Sequence, residues 1–171
     1  MRPRLSATGR CAMRHRGRGA SRAPNPTTVV TTRVVLQRIA APLCPRPIRD
    51  SSAVFRLLGD EARTWDREHF LTLILDGKNR VIAIDEVAVG TATAALVHPR
   101  EVLKTVLLAN GVSIILVHNH PSGDPTPSEE DVAITERIKA AAELMGIRLL
   151  DHVVLGDGHF RSLARDGWRC C

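Results

Sequence analysis

The sequence contains no Tyr, three Phe and two Trp, so aromatics are 3% of its 171 residues. Its interior must therefore be aliphatic, built from Val, Ile, Leu and Ala, and the 44% hydrophobic share suits one globular domain. The four cysteines, Cys11, Cys44, Cys170 and Cys171, leave residues 45–169 without a thiol, and none forms a Cys-x-x-Cys pair. A structural zinc knuckle is not supported, and a disulfide framework is not expected. Reduced thiols in a cytoplasmic protein are the expected state. No run of about 18 apolar residues is present, so no membrane-spanning helix is expected. Nor is there an apolar stretch of the signal-peptide kind, and no internal repeat is visible. The Arg-rich, acid-free beginning has only a superficial likeness to an organelle transit peptide.

Acidic residues and lysine are missing altogether from residues 1–49, which hold eleven Arg. The whole chain has a net charge of +6, yet beyond residue 49 there are 13 Lys and Arg against 18 Asp and Glu, a net of −5. The basic character thus belongs to the leader. Residues 1–28 mix Arg, Ser, Gly, Ala and Pro without periodicity and are expected to be disordered. They read as a dispensable extension or an early start site, ahead of a tail making weak contacts with nucleic-acid phosphates. Residues 29–36 read as a short strand, and Pro42, Pro45 and Pro47 break the chain into a linker. The expected division is a leader and linker over 1–49 and a folded domain over 50–168.

Within the domain the periodicities alternate. Ser51 or Ser52 is read as the cap of a short helix over residues 53–58, ended by Gly59 or by the residues up to Thr64. A strand opened by Glu68 follows to Leu75. Residues 76–79, Asp-Gly-Lys-Asn, form a hairpin turn, and a second strand runs from Arg80 to about Ala88, with Val81, Ala83 and Val87 on one face. Residues 91–96 read as a third strand. Pro99 suits a first helical turn, with Val102, Val106 and Leu107 at helical spacing and Gly111 at the exit. The apolar run 114–117 is a strand, and Ser128 starts a helix to about Met145 with Val132, Ile134, Ile138, Ala141, Ala142 and Met145 buried. Strands over 148–155 and 159–163 flank a Gly156-Asp157-Gly158 turn. This order gives an α/β fold, a mixed β-sheet flanked by helices.

The chemistry concentrates in His118-Asn119-His120-Pro121-Ser122-Gly123-Asp124-Pro125-Thr126-Pro127-Ser128-Glu129-Glu130-Asp131. Residues two apart on a strand share a face, so His118 and His120 project together from the strand end, where two imidazoles can meet one metal ion. Ser128 suits an N-cap and Asp131 its capping-box partner. Prolines and Gly123 keep the loop turned, so Asp131 can come back as a third ligand. Three N/O ligands suit zinc and leave a fourth position for water, as catalytic zinc sites do. Glu68, Glu86 and Glu101 are all candidates for the base that takes a proton from that water. Helix-dipole stabilisation is a sufficient reason for Glu101, and Glu86 can be a solvent-facing strand residue.

The spacing His-x-His, seven residues, Ser, two residues, Asp resembles the signature of the JAMM (MPN-plus) metalloprotease family. Residues 97–102, Val-His-Pro-Arg-Glu-Val, and 151–156, Asp-His-Val-Val-Leu-Gly, resemble the RadC branch of it. The resemblance spans roughly residues 50–168. It implies a JAMM/MPN fold with cytidine-deaminase-like layering, and Zn2+ on His118, His120 and Asp131. It also implies Glu68, 50 positions before His118, as general base and Ser128 as donor to the developing oxyanion. The activity implied is hydrolysis of peptide or isopeptide amide bonds, so a peptide or protein is the expected substrate. The helix-hairpin-helix segment that often precedes the domain in RadC proteins is not recognisable in residues 1–49.

Two other readings stand beside it. A metal-dependent nuclease or phosphoesterase usually needs a second metal and further ligands. A non-catalytic module associated with DNA repair, the family's label, would not need every ligand and the base in place. A zinc nucleobase deaminase would need Pro-Cys-x-x-Cys, which is absent. His152 reads as a packed strand histidine ahead of a residue that orients a ligand. Asn119 points away from the metal face and holds the loop, Asp124 is a turn residue, and Trp65 and Trp168 are packing residues.

Overall fold

A computed structural model describes residues 47–90 and 97–168. The expected leader, the strand over 29–36, the third strand over 91–96 and all four cysteines lie outside the described residues. The described elements are α1 (Ser51–Ala62), β1 (Glu68–Leu75), β2 (Val81–Gly90), α2 (Pro99–Leu108), β3 (Ser113–Asn119), α3 (Glu129–Leu144), β4 (Arg148–Leu155) and β5 (Phe160–Ser162). Five strands make one mixed sheet in the order β2-β1-β3-β4-β5. Only β3 and β4 run parallel, joined through α3; the other neighbours are antiparallel. Among the described residues no helix is long and apolar enough to cross a membrane.

Alternation along the central strands supplies two cores. Phe70, Ile74, Ile114 and Leu116 face Val102, Val106, Ile134 and Ile138 of α2 and α3. Leu71, Leu73, Leu75, Ile115 and Val117 face Val54, Leu58 and Ala62 of α1. Every residue of β3 is buried, as expected of a strand covered on both faces. The one hydroxyl deep in β1, Thr72 Oγ1, is fully buried and has no hydrogen-bond partner. Leaving such a group unpaired costs about 1–3 kcal/mol, whereas an apolar side chain of the same shape loses nothing. Thr72→Val should therefore raise the melting temperature by a few degrees; a lower one would mean that the hydroxyl has a partner in solution.

Several sequence expectations are corrected. The cap of α1 is Asp50, whose Oδ1 accepts from Ala53 N at 2.8 Å, and neither Ser51 nor Ser52 serves. Strand β2 runs two residues past Ala88, and register shifts in its pairing with β1 break the single face expected for Val81, Ala83 and Val87. Val81 packs on the α1 side, whereas Ala83 and Val87 pack on the other. In α2 the buried residues are Val102, Leu103 and Val106, while Leu107 is exposed. The left-handed residue after α2 is Asn110, at φ 55. Gly111 is required for another reason: a Cβ there would lie 2.4 Å from Ile74 Cγ2. In α3, Met145 is exposed and Val132 half-buried, and Thr135 is buried instead.

Candidate metal centre

The site forms where the parallel pair β3 and β4 ends, the end at which open α/β sheets bind ligands. His118 lies on the face of Ile114 and Leu116 and is buried; its ring stacks on Phe70 with centroids 6.0 Å apart. His120 continues the ladder through its N–H, which donates to Leu155 O at 2.9 Å. The turn beyond is seated on the β4–β5 connection, where Asp157 N donates to Gly123 O at 3.0 Å. Gly156 permits that contact, since a Cβ on it would stand 2.3 Å from the same carbonyl. Asp124 is the turn residue expected, accepting from Thr126 N at 2.9 Å and from the Thr126 hydroxyl at 2.7 Å.

Ser128 caps α3 in a full capping box with Asp131. Asp131 Oδ2 accepts from Ser128 N and from the Ser128 hydroxyl, both at 2.7 Å. That oxygen is largely satisfied, and Oδ1 is turned to His118 Nε2 at 3.1 Å. His118 Nε2 is 2.9 Å from His120 Nε2, which lies 3.4 Å from Asp131 Oδ2. His118, His120 and Asp131 thus form a group that can bind a metal ion, with ligand atoms all within 4.8 Å of one another.

The donor set passes a test of fit. Bonds of about 2.0–2.1 Å to a tetrahedral ion separate its ligand atoms by about 3.3 Å, close to the spacing here. His120 Nδ1 lies 2.8 Å from Asp124 O. A carbonyl oxygen only accepts, so Nδ1 carries a proton and the neutral ring turns an Nε2 lone pair into the site. Hydrogen bonding to Asp131 raises the His120 pKa, burial opposes it, and the Asp124 carbonyl adds to it. Burial alone would raise the Asp131 carboxyl; hydrogen bonds from His118, His120 and Ser128 hold it well below the usual carboxylate range. The cluster is therefore poised to hold positive charge, as protons or as a cation.

The antiparallel register pairs Phe70 with His118. Glu68 lies two residues before Phe70 on the same face of β1, just beyond the last residues paired with β3. The Glu68 charge acts on His120, helping to raise its pKa. The rival glutamates are engaged elsewhere. Glu86 Oε1 is 2.6 Å from His69 Nδ1, and Glu101 Oε2 accepts from Lys104 Nζ at 2.6 Å on the surface of α2.

Asn119 does point away from the metal face, but it holds β1 rather than the loop. Its Oδ1 accepts from His69 N at 2.8 Å and its Nδ2 donates to Arg67 O at 3.0 Å. Those are the peptide groups on either side of Glu68. No sequence motif joins 119 to 67 and 69; only the sheet register does. A cleft of about 310 Å³ opens beside His120, lined among others by Arg63, Trp65, Asn119, Gly156 and Asp157. Trp65 stacks on His69 with centroids 4.5 Å apart, and Lys139 Nζ lies 4.4 Å from the Trp168 ring centroid, so both indoles pack within the fold.

Sequence reasoning missed Thr135 entirely and ranked His152 first as packing. His152 is fully buried, and its ring also contacts His118, with Nε2 2.8 Å from His118 Nδ1. Its backbone is fixed by Asp151, which accepts from His152 N at 2.8 Å and from the Ser162 hydroxyl. Burial raises the Asp151 pKa despite these bonds.

A family model described as "RadC-like JAB domain" matches residues 48–168. The chain is 46% identical over 120 residues to a UPF0758 protein of Desulforudis audaxviator, covering 70% of this chain and 52% of that protein. To a UPF0758 protein of Pelobacter propionicus it is 51% identical over 114 residues, 67% of this chain and 50% of the relative. To one of Methanococcoides burtonii it is 45% identical over 123 residues, 72% and 54%. The chain spans about half the length of these curated relatives.

Proposed function

Because the chain belongs to the RadC-like JAB domain family, we propose that it is a zinc-dependent hydrolase that cleaves amide bonds of a peptide or isopeptide substrate. One observation carries this reading: two imidazoles and one carboxylate converge within 4.8 Å beyond a strand end, with the Glu68 charge acting on His120. Zn2+ held by His118, His120 and Asp131 would lower the pKa of a coordinated water to about 7 and polarise a substrate carbonyl.

The chain's own groups supply the rest. Glu68 accepts the proton of the attacking water and delivers it to the leaving amine. Asn119 keeps the Glu68 backbone in place from both sides. Ser128 orients Asp131 and, by turning its hydroxyl, donates to the oxyanion of the attacked carbonyl; such a donor is worth about 10²–10³ in rate. A two-metal phosphoesterase finds less support, since the described residues hold one group of three or more metal-ligating side chains.

The test is a panel of peptide, isopeptide and phosphodiester substrates offered to the full chain after zinc loading. Amide cleavage should appear, stop on chelation and return with zinc. Phosphodiester cleavage with no amide cleavage would replace this reading with the nuclease one.

A further inference from the structure

His118 Nε2 can bind a cation only if the ring's proton sits on Nδ1. On the site side Asp131 Oδ1, 3.1 Å from Nε2, favours a proton there. The groups behind the ring set the opposite choice. His118 Nδ1 faces His152 Nε2 at 2.8 Å, and His152 Nδ1 is hydrogen-bonded to the Thr135 hydroxyl oxygen. That oxygen in turn is bonded to the backbone carbonyl of Asp131, one helical turn earlier. All these groups are buried.

The direction of the chain follows from proton counting. A carbonyl oxygen has no proton to give, so the Thr135 hydroxyl donates to Asp131 O. Its single proton is then spent, and towards His152 its oxygen can only accept. His152 Nδ1 must therefore carry a hydrogen. His152 is fully buried, its Nδ1 meets the Thr135 hydroxyl and its Nε2 meets His118, so neither ring nitrogen faces a carboxylate; a buried ring without a counter-charge stays neutral, and Nε2 has a lone pair. That lone pair accepts from His118 Nδ1–H, so in the neutral His118 ring, the form a cation needs, Nε2 is the nitrogen without a proton.

We propose that Thr135 and His152 form a directed hydrogen-bond relay that locks His118 in the Nδ1–H tautomer and so aims its Nε2 lone pair at the metal position. The relay starts from the backbone of Asp131 and ends on His118, so two of the metal ligands are tied together from behind. Thr135 and His152 are positioning residues; neither reaches the ion or the substrate. The proposal rests on the metal-site reading for its consequence, but the proton on His118 Nδ1 is a property of the protein with or without the ion.

In Thr135→Val the His152 Nδ1 proton loses its acceptor. The ring is then free to carry its proton on Nε2, pointing at His118 Nδ1, which drives the His118 proton to Nε2 and blocks the ligand atom. Thr135→Ser keeps the hydroxyl and should keep the lock.

The experiment combines nitrogen-15 NMR of the imidazoles with Zn2+ affinity by chelator competition, both on the full chain. In the wild type His118 Nδ1 should be protonated in the metal-free and zinc-loaded protein alike. Thr135→Val should weaken Zn2+ binding about 10–100-fold, the range for losing an outer partner of a ligand, and should populate the other tautomer. Thr135→Ser should restore both. An unprotonated His118 Nδ1 in the wild type overturns the relay, and this arm decides the matter even if Thr135→Val does not fold. Wild-type affinity in a folded Thr135→Val protein overturns it too. A wild type that binds no Zn2+ but shows the expected tautomer would instead sink the metal reading and leave the lock standing.

Discussion

Asp131→Asn should remove the bound cation from this protein. The substitution keeps the size of the side chain and much of the capping box, but it takes away the one negative charge among three ligands. In the folded protein that charge is held by His118, His120 and Ser128 against the cost of its burial. Two neutral imidazoles and an amide have no comparable hold on a dication. The loss should exceed the 10–100-fold typical of an outer partner, so metal per chain after dialysis should fall from about one to near zero. The zinc-dependent rise in melting temperature, which follows from binding to the folded state alone, should vanish with it.

The pH response of the wild type follows from the same competition. The His120 pKa is raised in the metal-free fold, chiefly by Asp131. Protonated His120 thus stabilises the metal-free protein fully below its unfolded pKa of about 6.5, and that contribution is lost as pH rises through the higher folded value. The ion needs the neutral ring, so the zinc-dependent gain in melting temperature should grow as pH rises through that window. A gain that shrinks with rising pH, or an Asp131→Asn protein that keeps its metal, would show that the ion is held elsewhere.

Glu68→Gln should separate binding from chemistry. The amide cannot accept the water proton, so turnover should fall by about 10²–10⁴, the usual worth of a general base. Metal content should stay at the wild-type level, because Glu68 lies outside the ligand group. The same change at Glu86 or Glu101 should leave the rate nearly unaltered, since one is bonded to His69 and the other to Lys104. Full activity in Glu68→Gln, or a comparable loss in Glu86→Gln or Glu101→Gln, would assign the base differently. Assays of rate and bound metal on the same preparations distinguish these outcomes.

What could be read from the sequence was local. His118 and His120 share a face because a strand repeats every two residues, and Ser128 and Asp131 meet because a capping box spans three. These are short-range rules that place each pair; the meeting of the two histidines with Asp131 in one group is a property of the fold. Glu68 is different. Its nearness to His120 depends on how β1 lies beside β3, which no spacing along the chain encodes, and only the family resemblance points to it. Thr135 had a faint signal, lying one turn after Asp131 on the same helical face, yet its partner His152 comes from β4. Parallel pairing places His152 beside Leu116, two residues before His118, and only the fold brings the two rings together. The register shifts of β2 are illegible for the same reason: they depend on β1, not on β2's own alternation.

X-ray absorption at the zinc edge of the full chain, loaded with one equivalent, tests the metal centre most directly. The expected first shell is four nitrogen and oxygen atoms at about 2.0–2.1 Å, with the outer scattering of two imidazole rings. A shell containing sulfur at about 2.3 Å would place the ion on cysteines, and a protein that holds no zinc would have no such centre; either contradicts the account.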